Sequence, residues 1–203
     1  MVVEDPLRKC YAELEDANRS MVRLIAAMLD ARDTYTLGHA ARVSRTSCKF
    51  ARTMGMGEEE IAQLEIAALL HDIGKVNVSD AILHKKGPLN AKQEEKMREH
   101  PVTGSDILLM APLLHCYIPV VRAHHEWYNG HGYPDGLKGD QIPLHARIIS
   151  LADVYDAMTS NRPYRRALSV KETIDEILRV GDTQFSSEMA KTFVEMIKNT
   201  DYI

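Results

Sequence analysis

Imidazoles and carboxylates sit on the apolar faces of helix-period segments in this chain, and few patterns restrict a fold more tightly. His39 shares a face with Val43, Phe50 and Met54, while the stripe Ile61, Leu64 and Ala68 runs on into His71 and Asp72. A later apolar stretch, residues 145–159, carries Asp153 and Asp156. A charge delivered to a buried face is costly unless it is paired or bound to a metal. The chain must therefore bring these segments together around their polar groups, and its nine histidines supply the material.

The remaining periodicity is also helical. Residues 5–30 read as one helix on which Leu7, Tyr11, Leu14, Asn18, Met21, Ile25 and Met28 alternate spacings of four and three. With the leucines and methionines at d, Asn18 falls at a, a position where asparagine fixes coiled-coil register and dimer state. The same stripe would serve a helix packed on its own domain, and the sequence leaves both open. Gly55 and Gly57 break the chain, and the next helix, from about Glu58, is expected to end at Gly74. Residues 91–100 form a polar-faced helix that turns at His100-Pro101, and residues 106–125 are apolar and mostly helical. Asn129 to Asp140 holds four glycines and a proline and reads as a loop. Ser169 with Glu172 makes a capping box for a helix that Gly181 closes, and a last helix spans about Ser187 to Lys198. With no period-two strands and no internal repeat, the fold class is all-α.

Composition narrows the partners. With 25 basic and 29 acidic residues the net charge is -4, so no overall positive field holds a nucleic-acid polymer or an anionic membrane. An anionic ligand must be held locally. No apolar run reaches the roughly 18 residues of a membrane span, and Glu4 and Asp5 stand where a signal peptide carries positive charge. The expectation is a cytoplasmic protein. Three cysteines without C-x-x-C spacing argue for free thiols rather than disulfides or a cysteine zinc site.

His71-Asp72 alone reads as readily as a satisfied core pair. With His39 on one helix and Asp153 on a later one, however, the set has the form of a metal site assembled from facing helices. Imidazole and carboxylate without thiolate suit iron, manganese, nickel or zinc. His100, His124 and His125 add three imidazoles, more than one ion needs, so two ions are expected, with Asp72 able to bridge them. Lys75, one turn after His71, would meet a phosphate there. Arg162 and Arg165 flank Pro163-Tyr164 on an expected turn, where guanidinium forks suit phosphate oxygens.

These residues, HDIGK at 71–75, HHE at 124–126, NGHGYPDGLKG at 129–139 and ARIISLADVYDAMTSNRPYR at 146–165, resemble the HD-GYP family, a branch of the HD phosphohydrolases. The resemblance runs from about Asp33 to Phe193. It implies a helical bundle of the HD phosphohydrolase type, with residues 1–30 as a linker or dimerisation helix and 31–203 as a phosphodiesterase domain. It implies bacterial second-messenger signalling: hydrolysis of cyclic di-GMP to pGpG, and on a second cut GMP, by a hydroxide bridging a binuclear centre. One ion would be held by His39, His71, Asp72 and Asp153, the other by Asp72, His100, His124 and His125. Iron or manganese is the expected metal, nickel or zinc the alternative. Asp72 and Lys75 take the catalytic roles, and Lys75, Arg162, Arg165 and Tyr133 meet substrate. Asp33 and Asp156 fall where acids orient ligands or water. A homodimer through the first helix and a diguanylate cyclase domain are the implied partners.

Two positions depart from the family pattern. Members with a third metal carry Glu one turn before the first histidine, whereas this chain has Tyr35, so two metals are expected. The loop has Asn129 where Asp is usual, which preserves turn chemistry and loses a charge. Alternative functions are an HD hydrolase for another nucleotide, such as cyclic GMP-AMP or a guanosine tetraphosphate-type substrate, and an idle module that binds cyclic di-GMP or a cyclase.

Overall fold

A computed structural model describes residues 6–32, 38–161 and 166–200. Ten α-helices make up the described chain: α1 (Pro6–Arg32), α2 (His39–Thr53), α3 (Glu58–Leu70), α4 (Asp80–Leu83), α5 (Ala91–Arg98), α6 (His100–Leu109), α7 (Ile118–Ala123), α8 (Leu144–Thr159), α9 (Val170–Arg179) and α10 (Ser187–Thr200). Three short 3₁₀ turns, at Ile73–Asn77, Pro112–Tyr117 and Gly139–Gln141, join some of them. Among the described residues the nearest approach to a strand is one isolated bridge, Gly181 with Phe185. The all-α expectation holds.

The core forms where α2 lies against α3 and α8, with α9 and α10 closing its far side. Phe50 and Phe193 meet edge to face at 5.0 Å between ring centroids, both fully buried, the geometry favoured by the ring quadrupoles. Ile148, Ile149 and Leu151 from α8 fill the space between them and α3. Deep burial of α8 on several sides puts Asp153 and Asp156 next to α2.

The later part of α1 packs on the domain through Val22 and Ala26, which meet Ala40, Leu69, Leu70 and Val121, whereas Tyr11, Leu14, Met21 and Met28 of the heptad stripe are exposed. The capping box at Ser169 forms, with the Ser169 hydroxyl accepting Glu172 N–H at 3.2 Å and Glu172 accepting Ser169 N–H at 2.9 Å.

Residues 106–125 are mostly helical as expected, in three pieces: α6 stops at Leu109, and Pro112 and Pro119 each restart the chain at the first turn of a new element, since proline has no N–H to continue a preceding one. Two sequence expectations are corrected. The break expected at His100-Pro101 falls at Glu99, so that His100 and Pro101 open α6, where the missing proline N–H costs no bond. The helix carrying His71 ends at Leu70 rather than at Gly74. Gly74 instead lies inside the 3₁₀ turn, where a Cβ would collide with the His100 carbonyl oxygen. Its role is close approach of that turn to α6. No helix among the described residues is long and apolar enough to cross a membrane.

Candidate metal centre

His71 and Asp72 leave α3 just as its regular hydrogen bonding stops, so both side chains turn into the space between α2, α6, α7 and α8. Two compact groups of donors meet there: His39, His71 and Asp72, and Asp72, His100, His124 and His125, with all ligand atoms in each group within 4.8 Å of one another. Asp72 belongs to both. Its Oδ2 lies 3.4 Å from His71 Nε2 and 3.7 Å from His39 Nε2, and its Oδ1 lies 3.3 Å from His100 Nε2. Asp153 sits at the edge of the first group, its Oδ1 3.3 Å from His39 Nε2.

The ring nitrogens facing outward are committed elsewhere. Nδ1–H of His71 donates to the Ala68 carbonyl at 2.7 Å, that of His100 to Met97 at 2.8 Å and that of His124 to Val121 at 2.6 Å. His39 uses Nδ1 on Asp156 Oδ2 at 2.8 Å, and Asp156 is itself held by Arg42 Nε at 2.6 Å. Each ring therefore presents Nε2 inward, the tautomer a metal ligand needs. The three carbonyl acceptors each lie three residues before their histidine, so the helix end that carries the ring also orients it.

Electrostatics point to a cation. His71 Nε2 and Asp72 Oδ1 are buried without a hydrogen-bond partner among the described residues. The Nε2 atoms of His100 and His124 approach to 3.1 Å, and burial holds both rings below the usual imidazole range, with His100 pushed down to about 4. Two neutral lone pairs at that distance repel unless a positive centre is shared between them. On the opposite side burial opposes charge on His39, but Asp153 and Asp156 outweigh it and raise the ring to about 10. A divalent cation answers the same carboxylates. The residues present fit two such ions.

Lys75 lies beside the shared carboxylate: its Nζ donates to Asp72 Oδ2 at 2.6 Å. The Tyr133 ring stacks on His125, 4.9 Å between centroids and 26° between planes, and the Arg98 guanidinium lies over the Tyr133 ring at 5.2 Å from its centroid. Asn129 keeps the expected turn, its Oδ1 accepting His131 N–H at 3.0 Å. Asp33, Tyr35, Arg162 and Arg165 lie outside the described residues.

Sequence reading quoted Glu126 within its motif and gave it no role. The structure does: this buried carboxylate accepts the N–H groups of Asp135 at 2.7 Å, Gly136 at 3.0 Å and Leu137 at 3.1 Å. Gly132 lies so close to the Glu126–Trp127 backbone that a Cβ there would collide with it. The glycine-rich loop is thus wound around the residue that follows the His-His pair, which brings Tyr133 onto His125. A signal existed, an acid directly after two candidate ligands and before a loop rich in bare amides, but its partners lie nine to eleven residues away.

A family model described as HD domain matches residues 23–188. The chain is 34% identical over 199 residues to a cyclic di-GMP phosphodiesterase of Thermotoga maritima, covering 97% of this chain and 54% of that protein. It is 38% identical over 167 residues to the cyclic di-GMP phosphodiesterase response regulator RpfG of Xanthomonas campestris pv. campestris, covering 81% and 44%. It is 36% identical over 174 residues to 3'3'-cGAMP-specific phosphodiesterase 3 of Vibrio cholerae, covering 85% and 38%. The chain spans about half the length of the curated relatives it matches. Among solved structures, a cyclic GMP-AMP-specific phosphodiesterase of V. cholerae superposes with a TM-score of 0.68 at 18% identity, over 89% of this chain and 49% of that one. Bd1817, an HDG"Y"P protein of Bdellovibrio bacteriovorus, superposes with a TM-score of 0.68 at 19% identity, over 94% and 64%. At these identities the superpositions establish the shared helical fold.

Proposed function

This chain belongs to the HD domain family and carries the HD-GYP motifs in its sequence, and from that premise we propose that it is a metal-dependent phosphodiesterase hydrolysing cyclic di-GMP to linear pGpG, with GMP the product of any second cut. The observation that carries this reading is the sharing of Asp72 between two donor groups. Two divalent ions, iron or manganese, held by His39, His71, Asp72 and Asp153 and by Asp72, His100, His124 and His125, would make water acidic enough to attack at neutral pH and would neutralise phosphate charge.

The chain's own residues do the rest. Main-chain carbonyls and Asp156 hold the imidazoles in one tautomer, so no ring has to reorient during reaction. Lys75 Nζ, beside Asp72, binds a non-bridging phosphate oxygen and balances charge as the attacking water oxygen bonds to phosphorus. The bond to the ribose 3' oxygen breaks, and that oxygen leaves with a proton. Tyr133 covers one face of His125 and keeps bulk water off it. Arg162, Arg165 and Asp33 are proposed as further contacts to substrate and water. Elemental analysis of protein made with excess iron or manganese, with chromatography of a cyclic di-GMP digest, tests the reading. About two metals per chain with pGpG formed supports it, and metal-loaded protein that leaves cyclic di-GMP intact refutes it.

A second substrate, cyclic GMP-AMP, is favoured by the names of the V. cholerae relatives. Both molecules present the same phosphodiester to the same centre, so comparing kcat/KM on the two separates them.

The first helix is proposed as linker and dimerisation element, residues 1–30, ahead of a catalytic domain, 31–203. Tyr11, Leu14 and Met21 form an exposed heptad stripe on the half of α1 that precedes its packed part. Asn18 at an a position is satisfied by its own counterpart in a second copy aligned in parallel and in register. Sedimentation equilibrium showing dimers that Asn18→Lys weakens supports this occupant, and a monomer at tens of micromolar excludes it.

A further inference from the structure

Arg32, the last residue of α1, makes more hydrogen bonds than any local helix-ending role requires. Its Nη1 donates to the carbonyls of Val76 at 2.5 Å and Lys75 at 3.3 Å, its Nη2 to Val78 at 2.7 Å, and Nη2 and Nε grip Asp80 Oδ1 at 2.9 and 3.2 Å. The return contact is His84 Nε2–H donating to the Arg32 carbonyl at 2.8 Å. The guanidinium therefore closes off the last carbonyls of the Ile73–Asn77 turn and of the chain leaving it, sharing the Lys75 carbonyl with the Val78 N–H, which reaches it at 3.0 Å. A 3₁₀ turn of this length has poorer hydrogen-bond geometry than an α-helix and depends on outside partners to hold its shape.

That turn carries Lys75. A small cavity lined by Leu29, Asp30, Arg32, Asp72, Lys75 and Val76 lies between the end of α1 and the shared ligand. One residue pair earlier, Asp30 reaches α2, its carboxylate accepting the Ala40 N–H at 3.3 Å beside His39. The end of α1 thus reaches the backbone of two of the segments that supply the centre, the turn after Asp72 and the start of α2.

We propose that Arg32 is a positioning residue, which fixes Lys75 over the candidate centre by tying the carbonyls of Lys75, Val76 and Val78 to the end of α1. This rests on the reading of Lys75 as the phosphate contact. A planar five-donor fork can serve three carbonyls and a carboxylate at once, whereas a lysine ammonium on a flexible stem cannot. Loss of the fork would let the turn relax and move the Lys75 ammonium away from the phosphate, and small misplacements of this kind cost on the order of 10- to 100-fold in rate.

The test uses the full chain and two readouts. In cyclic di-GMP hydrolysis, Arg32→Ala is expected to lower kcat by about 10- to 100-fold with a smaller change in KM and unchanged metal content, and Arg32→Lys to recover part of the loss. In a Lys75→Ala background the Arg32→Ala effect should vanish, because residues acting through one another are not additive. Independently of activity, amide hydrogen exchange across residues 73–80 should accelerate in Arg32→Ala, and less so in Arg32→Lys, which serves alone should the alanine variant not fold. Unaltered exchange, or an equal loss of kcat with and without Lys75, overturns the proposal. If the wild-type chain hydrolyses no cyclic dinucleotide, the functional reading fails by itself, and the exchange result still decides whether Arg32 holds the turn.

Discussion

His100 Nε2 and His124 Nε2 face each other at 3.1 Å, while the opposite nitrogen of each ring donates to the carbonyl three residues before it, Met97 and Val121. Neither ring can turn to relieve the contact without giving up a buried hydrogen bond. The arrangement stores a demand for a cation, and the predictions below follow from that demand and from the backbone that maintains it.

Metal binding should stabilise the fold. An ion at 100 times its dissociation constant contributes about 2.7 kcal/mol, which for a chain of this size is a rise in Tm of roughly 5–10 °C. Calorimetry with and without chelator measures it. Asp72→Ala, which removes the ligand common to both groups, should bring metal content below one ion per chain. Asp156→Asn, which reaches the centre through the outer nitrogen of His39 and keeps an oxygen for Arg42, should instead weaken binding about 10- to 100-fold. Equal metal content in wild type and Asp72→Ala refutes the shared-ligand geometry.

Glu126 should matter for stability although it touches no ligand atom. Glu126→Ala strands three main-chain N–H groups, and a buried unsatisfied group costs about 1–3 kcal/mol. We expect a loss on the order of 3 kcal/mol in urea unfolding and faster proteolytic cleavage within residues 129–139. Glu126→Gln keeps one acceptor and should lose less. Wild-type unfolding in both variants would contradict the anchoring role.

Two glycines should respond differently to alanine. At Gly74 the added carbon collides with the backbone of His100, itself a candidate ligand, so Gly74→Ala should cost more than about 3 kcal/mol and reduce metal content. Gly55 has φ +79° and nothing within 4 Å of an added carbon, so Gly55→Ala should cost about 1–2 kcal/mol of backbone strain and leave metal content intact. Comparing Tm and bound metal for the two separates crowding from strain.

His145 supplies a pH dependence away from the centre. Burial holds its imidazole below the ordinary histidine range of about 6.5, against an opposing pull from Glu60. The folded state therefore favours the neutral ring, while the unfolded chain takes up a proton near pH 6.5. Stability from this group is complete above about pH 6.5 and falls as the pH drops below it. His145→Gln should lose less Tm than wild type between pH 7.5 and 5, and parallel curves would remove His145 as the source.

What the amino-acid order determined by itself is local. Helical periodicity, the Ser169–Glu172 cap and the turn at Asn129 depend on residues two to four apart, whose side chains and amides meet whatever the rest of the chain does. The order also named the imidazoles and carboxylates that converge, because polar groups on apolar faces must find one another. Tertiary structure decided what depends on distant partners. It placed Glu126 under amides nine to eleven residues away, wedged Gly74 against His100, chose Val22 and Ala26 over the heptad stripe as the packed face of α1, and brought Arg32 across more than forty residues onto the turn that carries Lys75. No local spacing encodes such pairs, since each is selected by the packing of whole helices and by the cost of leaving a buried amide or carbonyl without a partner.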